Sequence, residues 1–129
     1  MLLPLRYAWA WLFAGLILLV LGLVSALSAA AFPSAMTLND KLIHLVGFTG
    51  FMVWFCGIVQ TRYAPLLALG LAAYGLLIEF LQSLTVTRQP EGLDLVADIA
   101  GILVGWFLSA AGLSRWCIKL ESWFASAKP

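Results

Sequence analysis

Long hydrophobic stretches dominate the sequence, and short polar segments separate them. A helix needs about 20 apolar residues to cross the roughly 30 Å hydrocarbon core of a bilayer, because it rises only about 1.5 Å per residue. Four stretches are long enough and carry little or no charge: residues 7–32, 42–60, 63–84 and 95–113. The intervening segments contain Asn, Asp, Pro and Gly, which are typical of turns. The pattern predicts an all-α fold, with one bundle of four transmembrane helices within residues 1–113.

Residues 114–129 follow a different pattern. Apolar residues recur there at helical spacing on one side, and polar residues occupy the other side. The apolar side comprises Leu113, Trp116, Cys117, Leu120, Trp123 and Phe124, and the polar side comprises Arg115, Lys119 and Ser122. This predicts a C-terminal amphipathic helix at the membrane interface, with its aromatic rings inserted and its cations toward the headgroups. The alternative is a helix that binds a partner protein.

The composition supports a membrane protein. Hydrophobic residues make up 64% of the 129 residues and charged residues only 10%, whereas a soluble domain averages about 25% charged residues. This balance excludes an ordinary soluble domain. The basic residues are scattered and the net charge is only +1, so the sequence lacks the basic patch that binds nucleic acid. Cys56 and Cys117 have neither a CxxC motif nor a metal-ligand spacing, which indicates ordinary reduced side chains.

The first hydrophobic stretch admits two interpretations. Arg6 precedes it, and Ala29-Ala30-Ala31 resembles the small-residue cleavage site of a secretory signal. The apolar stretch is longer than that of a typical signal, so we expect a retained membrane anchor. Cleavage would leave three spans.

Lys and Arg in short loops predict the orientation, because these residues are retained on the cytoplasmic side of the membrane. An N-terminus inside the cell places five basic residues in the cytoplasm and two outside. The cytoplasmic residues are then Arg6, Arg62, Arg115, Lys119 and Lys128, and the outer residues are Lys41 and Arg88. We therefore expect both termini in the cytoplasm.

On this topology, most of the ionisable and strongly polar side chains of helices two, three and four gather at the outer ends of those helices. The candidate ligand-binding residues are Asp40, Lys41, His44, Glu79, Gln82, Arg88, Asp94 and Asp98. Their spacing places Asp40 with His44, Glu79 with Gln82, and Asp94 with Asp98 on shared helix faces. These faces predict a polar pocket that opens outward.

Glu79 gives the strongest single indication of function. It lies five residues before Leu84, which is about 7 Å inside the predicted helix end. A carboxylate at such a depth costs about 2–4 kcal/mol unless it finds a partner or water, so it indicates a functional group. Asp40 and Asp94 have an alternative role, because acids also cap helix starts and complement the positive end of the helix dipole.

The charge of the cluster limits the ligand. Five carboxylates, from Asp40, Glu79, Glu91, Asp94 and Asp98, face the two cations Lys41 and Arg88, which leaves about three negative charges with His44 neutral. Pairs such as Arg88 with Asp94, or Lys41 with Glu79, would neutralise part of this charge. The remainder suits an amine, a metal cation or protons better than a simple phosphate.

Helix four also carries a stripe of small residues. Ala97, Gly101 and Gly105 recur every four residues, a pattern that permits close approach of a neighbouring helix. We interpret these residues as helix-packing positions.

Taken in order, the polar motifs resemble the VanZ-like family of small bacterial membrane proteins. The resemblance covers Asp40-Lys41-x-x-His44, Glu79-x-x-Gln82, Arg88 and the run from Leu93-Asp94 through Asp98 and Gly101 to Gly105. It implies a multi-pass protein of the bacterial cell membrane, in a family named for a member associated with low-level teicoplanin resistance. Resistance itself does not carry over. Asp98 departs from the pattern, which often has Asn there, and adds a titratable group.

Three functions remain open. The first is a non-enzymatic envelope protein that binds a lipid headgroup or, as the resemblance implies, a cell-wall precursor or its lipid carrier, without a cofactor. The second is an intramembrane enzyme, with Glu79 or Asp98 as general base and His44 as its partner, or with a His44, Glu79 and Asp94 metal site. The third is a proton- or ion-coupled carrier. Four short helices without an inverted repeat would need to form a homo-oligomer for transport.

Overall fold

The computed structural model describes residues 1–28, 37–85 and 92–126. Within these ranges the chain is helical, apart from short turns and an isolated bridge between Leu2 and Val59. The helices are α1 (Ala8–Ser28), α2 (Thr37–Cys56), α3 (Ala64–Ser83), α4 (Gly92–Ala110) and α5 (Trp116–Ser126). The predicted all-α class is confirmed. Arg88, Glu91, Lys128 and the Ala29-Ala30-Ala31 segment lie outside the described residues.

Local sequence explains several helix ends. Pro65 lies at the start of α3, where its missing N–H removes no helical hydrogen bond. Gly112 follows α4 with a φ of 137°, a conformation that L side chains rarely adopt, so the chain can turn there toward α5. The helix α2 begins five residues before the predicted span at 42–60, so Asp40 and Lys41 belong to the helix itself.

Three helical segments are long and apolar enough to cross a membrane: Ala8–Ser28, Thr61–Ser83 and Gly92–Ala110. Their outer surfaces carry large apolar side chains, such as Trp9 at 77% exposure and Phe107 at 73%. Such a surface suits lipid rather than water. The length and composition of these three helices therefore indicate a membrane protein. The 20-residue α2 is less apolar, because Asp40, Lys41 and His44 lie in its first turns.

Contacts between helix ends show the direction of each helix. Ala26 near the end of α1 accepts a hydrogen bond from Gln82 near the end of α3. Lys41 and Asp94, near the starts of α2 and α4, form an ion pair. Thus α1 and α3 run one way, and α2 and α4 run the other way. One end of the bundle collects the ends of α1 and α3 and the starts of α2 and α4.

The closest helix pair is α2 with α4, and glycine makes it possible. A Cβ at Gly101 would collide with the Leu45 carbonyl oxygen, and one at Gly105 would lie 2.7 Å from both the Thr49 carbonyl oxygen and Met52 Cβ. Thr49 Oγ1 also donates a hydrogen bond across this interface to the Gly101 carbonyl oxygen, at 3.1 Å. The small-residue stripe of α4 therefore faces α2.

At the opposite end of the bundle, α5 docks against the starts and ends of the other helices. The indole of Trp116 packs against those of Trp11 and Trp54 and donates a hydrogen bond to the Val53 carbonyl oxygen. Cys117 is fully buried, whereas Trp123 and Phe124 are exposed. The apolar side of α5 is therefore divided: its first turn contacts the bundle, and its last turns face outward.

Glu121 holds α5 to the start of α1. Its carboxylate accepts hydrogen bonds from the backbone N–H groups of Arg6 and Tyr7, at 2.7 and 2.9 Å, and from Trp11 Nε1 at 2.9 Å. Burial opposes ionisation, but these three donors and the Arg6 charge outweigh it and lower the pKa of Glu121. The carboxylate thus caps the positive end of α1 from a distant part of the chain.

Candidate functional site

The polar end of the bundle centres on His44 and Asp98. His44 Nδ1 on α2 lies 2.8 Å from Asp98 Oδ1 on α4, and the two groups share a hydrogen bond. Both side chains are buried, at 7% and 0% exposure. The first turns of α2 and α4 bring them together because these helices start at the same end of the bundle and pack closely. The pair therefore locks the orientation of the imidazole ring.

Asp94 and Lys41 form a second connection between the same helices. Lys41 Nζ lies 3.3 Å from Asp94 Oδ1, and the aspartate is buried while the lysine is partly exposed. The sequence suggests Arg88 as a partner for Asp94 and Glu79 as a partner for Lys41. The structure pairs Lys41 with Asp94, because the starts of α2 and α4 lie side by side, and Arg88 lies outside the described residues.

Two of the predicted residues belong to α3. Gln82 is 1% exposed and donates a hydrogen bond from Nε2 to the Ala26 carbonyl oxygen at 3.1 Å, so it connects α3 to α1. Glu79 is half-buried one turn earlier, within electrostatic reach of His44. Gln82 and Glu79 thus lie at the predicted end of the bundle, although Gln82 serves a contact between helices.

The second carboxylate oxygen of Asp98 lies in an unusual environment. Its Oδ2 atom is buried and accepts no hydrogen bond from the residues that the structure describes. It points at Gly75 on α3, where a Cβ would lie only 2.6 Å away. Only glycine leaves room there for a carboxylate between α3 and α4. The role of Gly75 could not be predicted from the sequence, because nothing in the spacing of α3 connects it to Asp98.

A cavity of about 130 Å³ lies beside the imidazole of His44, between α1, α2 and α3. Its polar residues are Asp40, His44, Ser25 and Tyr74. The other lining residues are Gly22, Ala26, Ile43, Gly47, Phe48, Phe51 and Ile78. The predicted pocket residues Asp40 and His44 therefore line a real cavity. On the α4 side, Asp98 shares a hydrogen bond with His44, and Asp94 forms an ion pair with Lys41.

Three aromatic rings form one wall of this cavity. The ring centroids of Phe48, Phe51 and Tyr74 lie 5.7 to 6.0 Å apart, in edge-on or tilted arrangements. The Tyr74 hydroxyl donates a hydrogen bond to the Leu19 carbonyl oxygen at 2.6 Å, which orients the ring. The sequence does not reveal this wall, because aromatic residues at helical spacing are also typical of ordinary packing.

The structure also defines which residues could hold a metal ion. Ligand atoms of Asp40, His44 and Asp94 all lie within 4.8 Å of one another. The metal site predicted from the sequence has Glu79 in place of Asp40. Asp98 occupies the position of an outer carboxylate that orients a histidine ligand. The arrangement is chemically suitable for a divalent cation, although the Lys41 ammonium competes for Asp94.

No family model, curated protein or solved structure matches the chain. The interpretation of the site therefore depends on its geometry and on the order of its sequence motifs.

Proposed function

We propose that this protein is a VanZ-like, four-span protein of the bacterial cell membrane whose polar end binds an envelope molecule or a lipid headgroup. In this proposal both termini lie in the cytoplasm, and the cavity beside His44 opens near the outer surface. The protein acts by binding, and a cell-wall precursor or its lipid carrier is the class of ligand that the motif resemblance favours.

The surface of α2 supports a fourth span. Between residues 42 and 46 its exposed side chains are apolar, with Leu42, Ile43 and Val46 at 56–58% exposure. Its polar side chain His44 is buried in the bundle. A helix in water shows the reverse arrangement, with polar residues outside. This arrangement suits a helix that lipid surrounds, with its polar groups satisfied by neighbouring helices.

The observation that carries the binding function is the position of the cavity. Buried ionisable groups are costly in a membrane and are typical of functional sites there. Here the buried His44–Asp98 pair stands directly behind an open space that Asp40 also lines. A purely structural pair would need only its hydrogen bond and no adjoining cavity. The combination favours a site that receives part of a ligand.

Two glycines of α2 provide a matched test. Gly47 lines the cavity and Gly50 does not, and a Cβ at either position meets no atom within 4 Å. Gly47→Leu should therefore fill the cavity, while Gly50→Leu adds the same side chain on the same helix outside it. The measurement is labelling of the purified protein by a photoreactive lipid-carrier analogue. We expect strong labelling of the parent and Gly50→Leu, and at least tenfold less labelling of Gly47→Leu. Equal labelling of all three would refute a binding site in this cavity.

The grouping of Asp40, His44 and Asp94 favours a second candidate, a divalent metal site that activates water for an intramembrane reaction. Metal analysis of the purified protein separates the two candidates. A metal enzyme should contain about one zinc or manganese ion per chain and lose it in His44→Ala. Sub-stoichiometric metal in the parent would remove this candidate and leave the binding function in place.

A further inference from the structure

We infer that the cavity beside His44 receives an ammonium group, either on a lipid headgroup or on a free amine. This inference rests on the proposed function, because it names the ligand chemistry of the same site. Four features of the described residues carry it: the charge of the polar end, the end of α1, the aromatic wall and the size of the cavity.

The charge of this end favours a cation. Among the described residues it contains the carboxylates of Asp40, Glu79, Asp94 and Asp98, and the lysine Lys41. Among these residues four carboxylates accompany one cation, and Lys41 forms an ion pair with Asp94. Asp40 is the carboxylate that lines the cavity itself. A phosphate placed there would approach an acidic side chain, whereas an ammonium group would approach an opposite charge.

The end of α1 adds negative potential. Ser25 and Ala26 line the cavity from the last turn of α1, which ends at Ser28. The carbonyl groups of a last helical turn carry the negative end of the helix dipole and favour cations. The start of α2 opposes this effect at the same end of the bundle. Asp40 lies in the first turn of α2 and offsets that positive end.

The aromatic wall suits an alkylated cation. Ammonium groups bind near aromatic rings through the electrostatic attraction of the ring quadrupole, and this attraction strengthens where water is excluded. Phe48, Phe51 and Tyr74 provide three such rings in one cluster. The methyl or methylene groups next to the nitrogen gain apolar contact with the same rings. A hydrated metal ion or a proton has no alkyl groups to make this apolar contact with the rings.

The volume limits the ligand to a small group. The cavity has a volume of about 130 Å³, which is well above the minimum that one water molecule needs. An ethanolammonium or trimethylammonium group has that scale. A larger ligand would place its amine in the cavity and extend outward from it.

The test measures binding of radiolabelled choline and ethanolamine to the full chain in detergent, with inorganic phosphate as the anionic probe. We expect saturable amine binding to the parent and to Gly50→Leu. Asp40→Asn and Gly47→Leu should bind the amines at least tenfold more weakly. Asp40→Asn keeps the shape of the side chain and removes only its charge. Circular dichroism and thermal unfolding of each variant confirm that it is folded.

A second arm distinguishes the source of the amine. Native mass spectrometry compares the retention of phosphatidylethanolamine and phosphatidylglycerol supplied in equal amounts. Preferential retention of phosphatidylethanolamine that Gly47→Leu abolishes would identify a lipid headgroup. Amine binding without any lipid preference would identify a free amine or a wall precursor that carries one.

The outcomes separate this inference from the proposed function. If phosphate binds as well as choline, or if neither amine binds the parent, the ammonium inference fails. The proposed function survives that result if Gly47→Leu still abolishes labelling by the lipid-carrier analogue. If amine binding and labelling are both insensitive to Gly47→Leu, both proposals fail.

Discussion

His44 Nδ1 and Asp98 Oδ1 lie 2.8 Å apart and join α2 to α4 inside the polar end of the bundle. The residues are 54 positions apart in sequence, and both are buried. Because Nδ1 is engaged with the carboxylate, Nε2 is the ring nitrogen through which His44 can act at the cavity. In the proposed binding site, Asp98 is therefore a positioning residue, and His44 is the group that would meet a ligand.

The His44–Asp98 pair should contribute measurably to stability. Asp98→Ala leaves a buried imidazole without its partner, which costs about 1–3 kcal/mol. Asp98→Asn keeps an oxygen that accepts a hydrogen bond from Nδ1–H, so its loss should be smaller. Thermal or denaturant unfolding in detergent measures both variants. If Asp98→Ala were as stable as the parent, the hydrogen bond between His44 and Asp98 would make no net contribution to stability.

Gly101 and Gly50 should respond in opposite directions to the same substitution. Gly101→Ala forces a Cβ against the Leu45 carbonyl oxygen, so α2 and α4 must separate at a cost of about 1–3 kcal/mol. Gly50→Ala meets open space and should stabilise α2 by up to about 1 kcal/mol through helix propensity. Unfolding of the two variants under the same conditions tests the close packing. Equal effects would contradict it.

Removal of the Glu121 carboxylate should loosen α5. Cys117 on α5 is fully buried, and burial together with the Glu121 charge raises the pKa of its thiol to about 12. The thiol should therefore react slowly with a maleimide at neutral pH. In a Cys56→Ala background, Glu121→Ala should raise the labelling rate at least tenfold. Ser122→Ala is the control, because Ser122 donates its hydrogen bond within its own helix, to the Lys119 carbonyl oxygen. Unchanged labelling of Glu121→Ala would show that other contacts hold α5.

Acid should release the same contact. The pKa of Glu121 is lowered from its ordinary value of 4.5, so the folded state favours the charged form. The stabilisation is fully present above pH 4.5 and is lost as the pH falls through the lower folded-state value. Fluorescence of the cluster of Trp11, Trp54 and Trp116 should change over that acidic range. Glu121→Gln cannot ionise, so it should lack this transition, and an identical transition in that variant would assign the change to another group.

The polar end shows how far residue spacing can predict a site. The steps from Asp40 to His44 and from Asp94 to Asp98 are each four residues, which places each pair on one helix face and near one helix end. Spacing says nothing about which faces meet. Spacing alone therefore could not predict the ion pair between Lys41 and Asp94 that the structure shows.

The cavity was harder to predict from the sequence than the grouping of the charged residues. Its wall uses Ser25 and Ala26 from α1, a helix without charged residues that carries no sign of a site in its sequence. Tyr74 enters the wall because its hydroxyl reaches the Leu19 carbonyl oxygen on that same helix. Such roles arise from the rotation of one helix against another. A single sequence contains no direct record of that rotation.

The amino-acid sequence by itself determined the helices, the affinity for a membrane and the end of the bundle at which polar groups collect. These properties depend on hydropathy and on the axial rise per residue, which are local. Only the tertiary structure decided that His44 pairs with Asp98, that Gln82 joins α1, and that Glu121 caps the start of α1. Those contacts depend on how closely the helices approach and how each is rotated. The close approach at Gly101 and Gly105 sets both for α2 and α4.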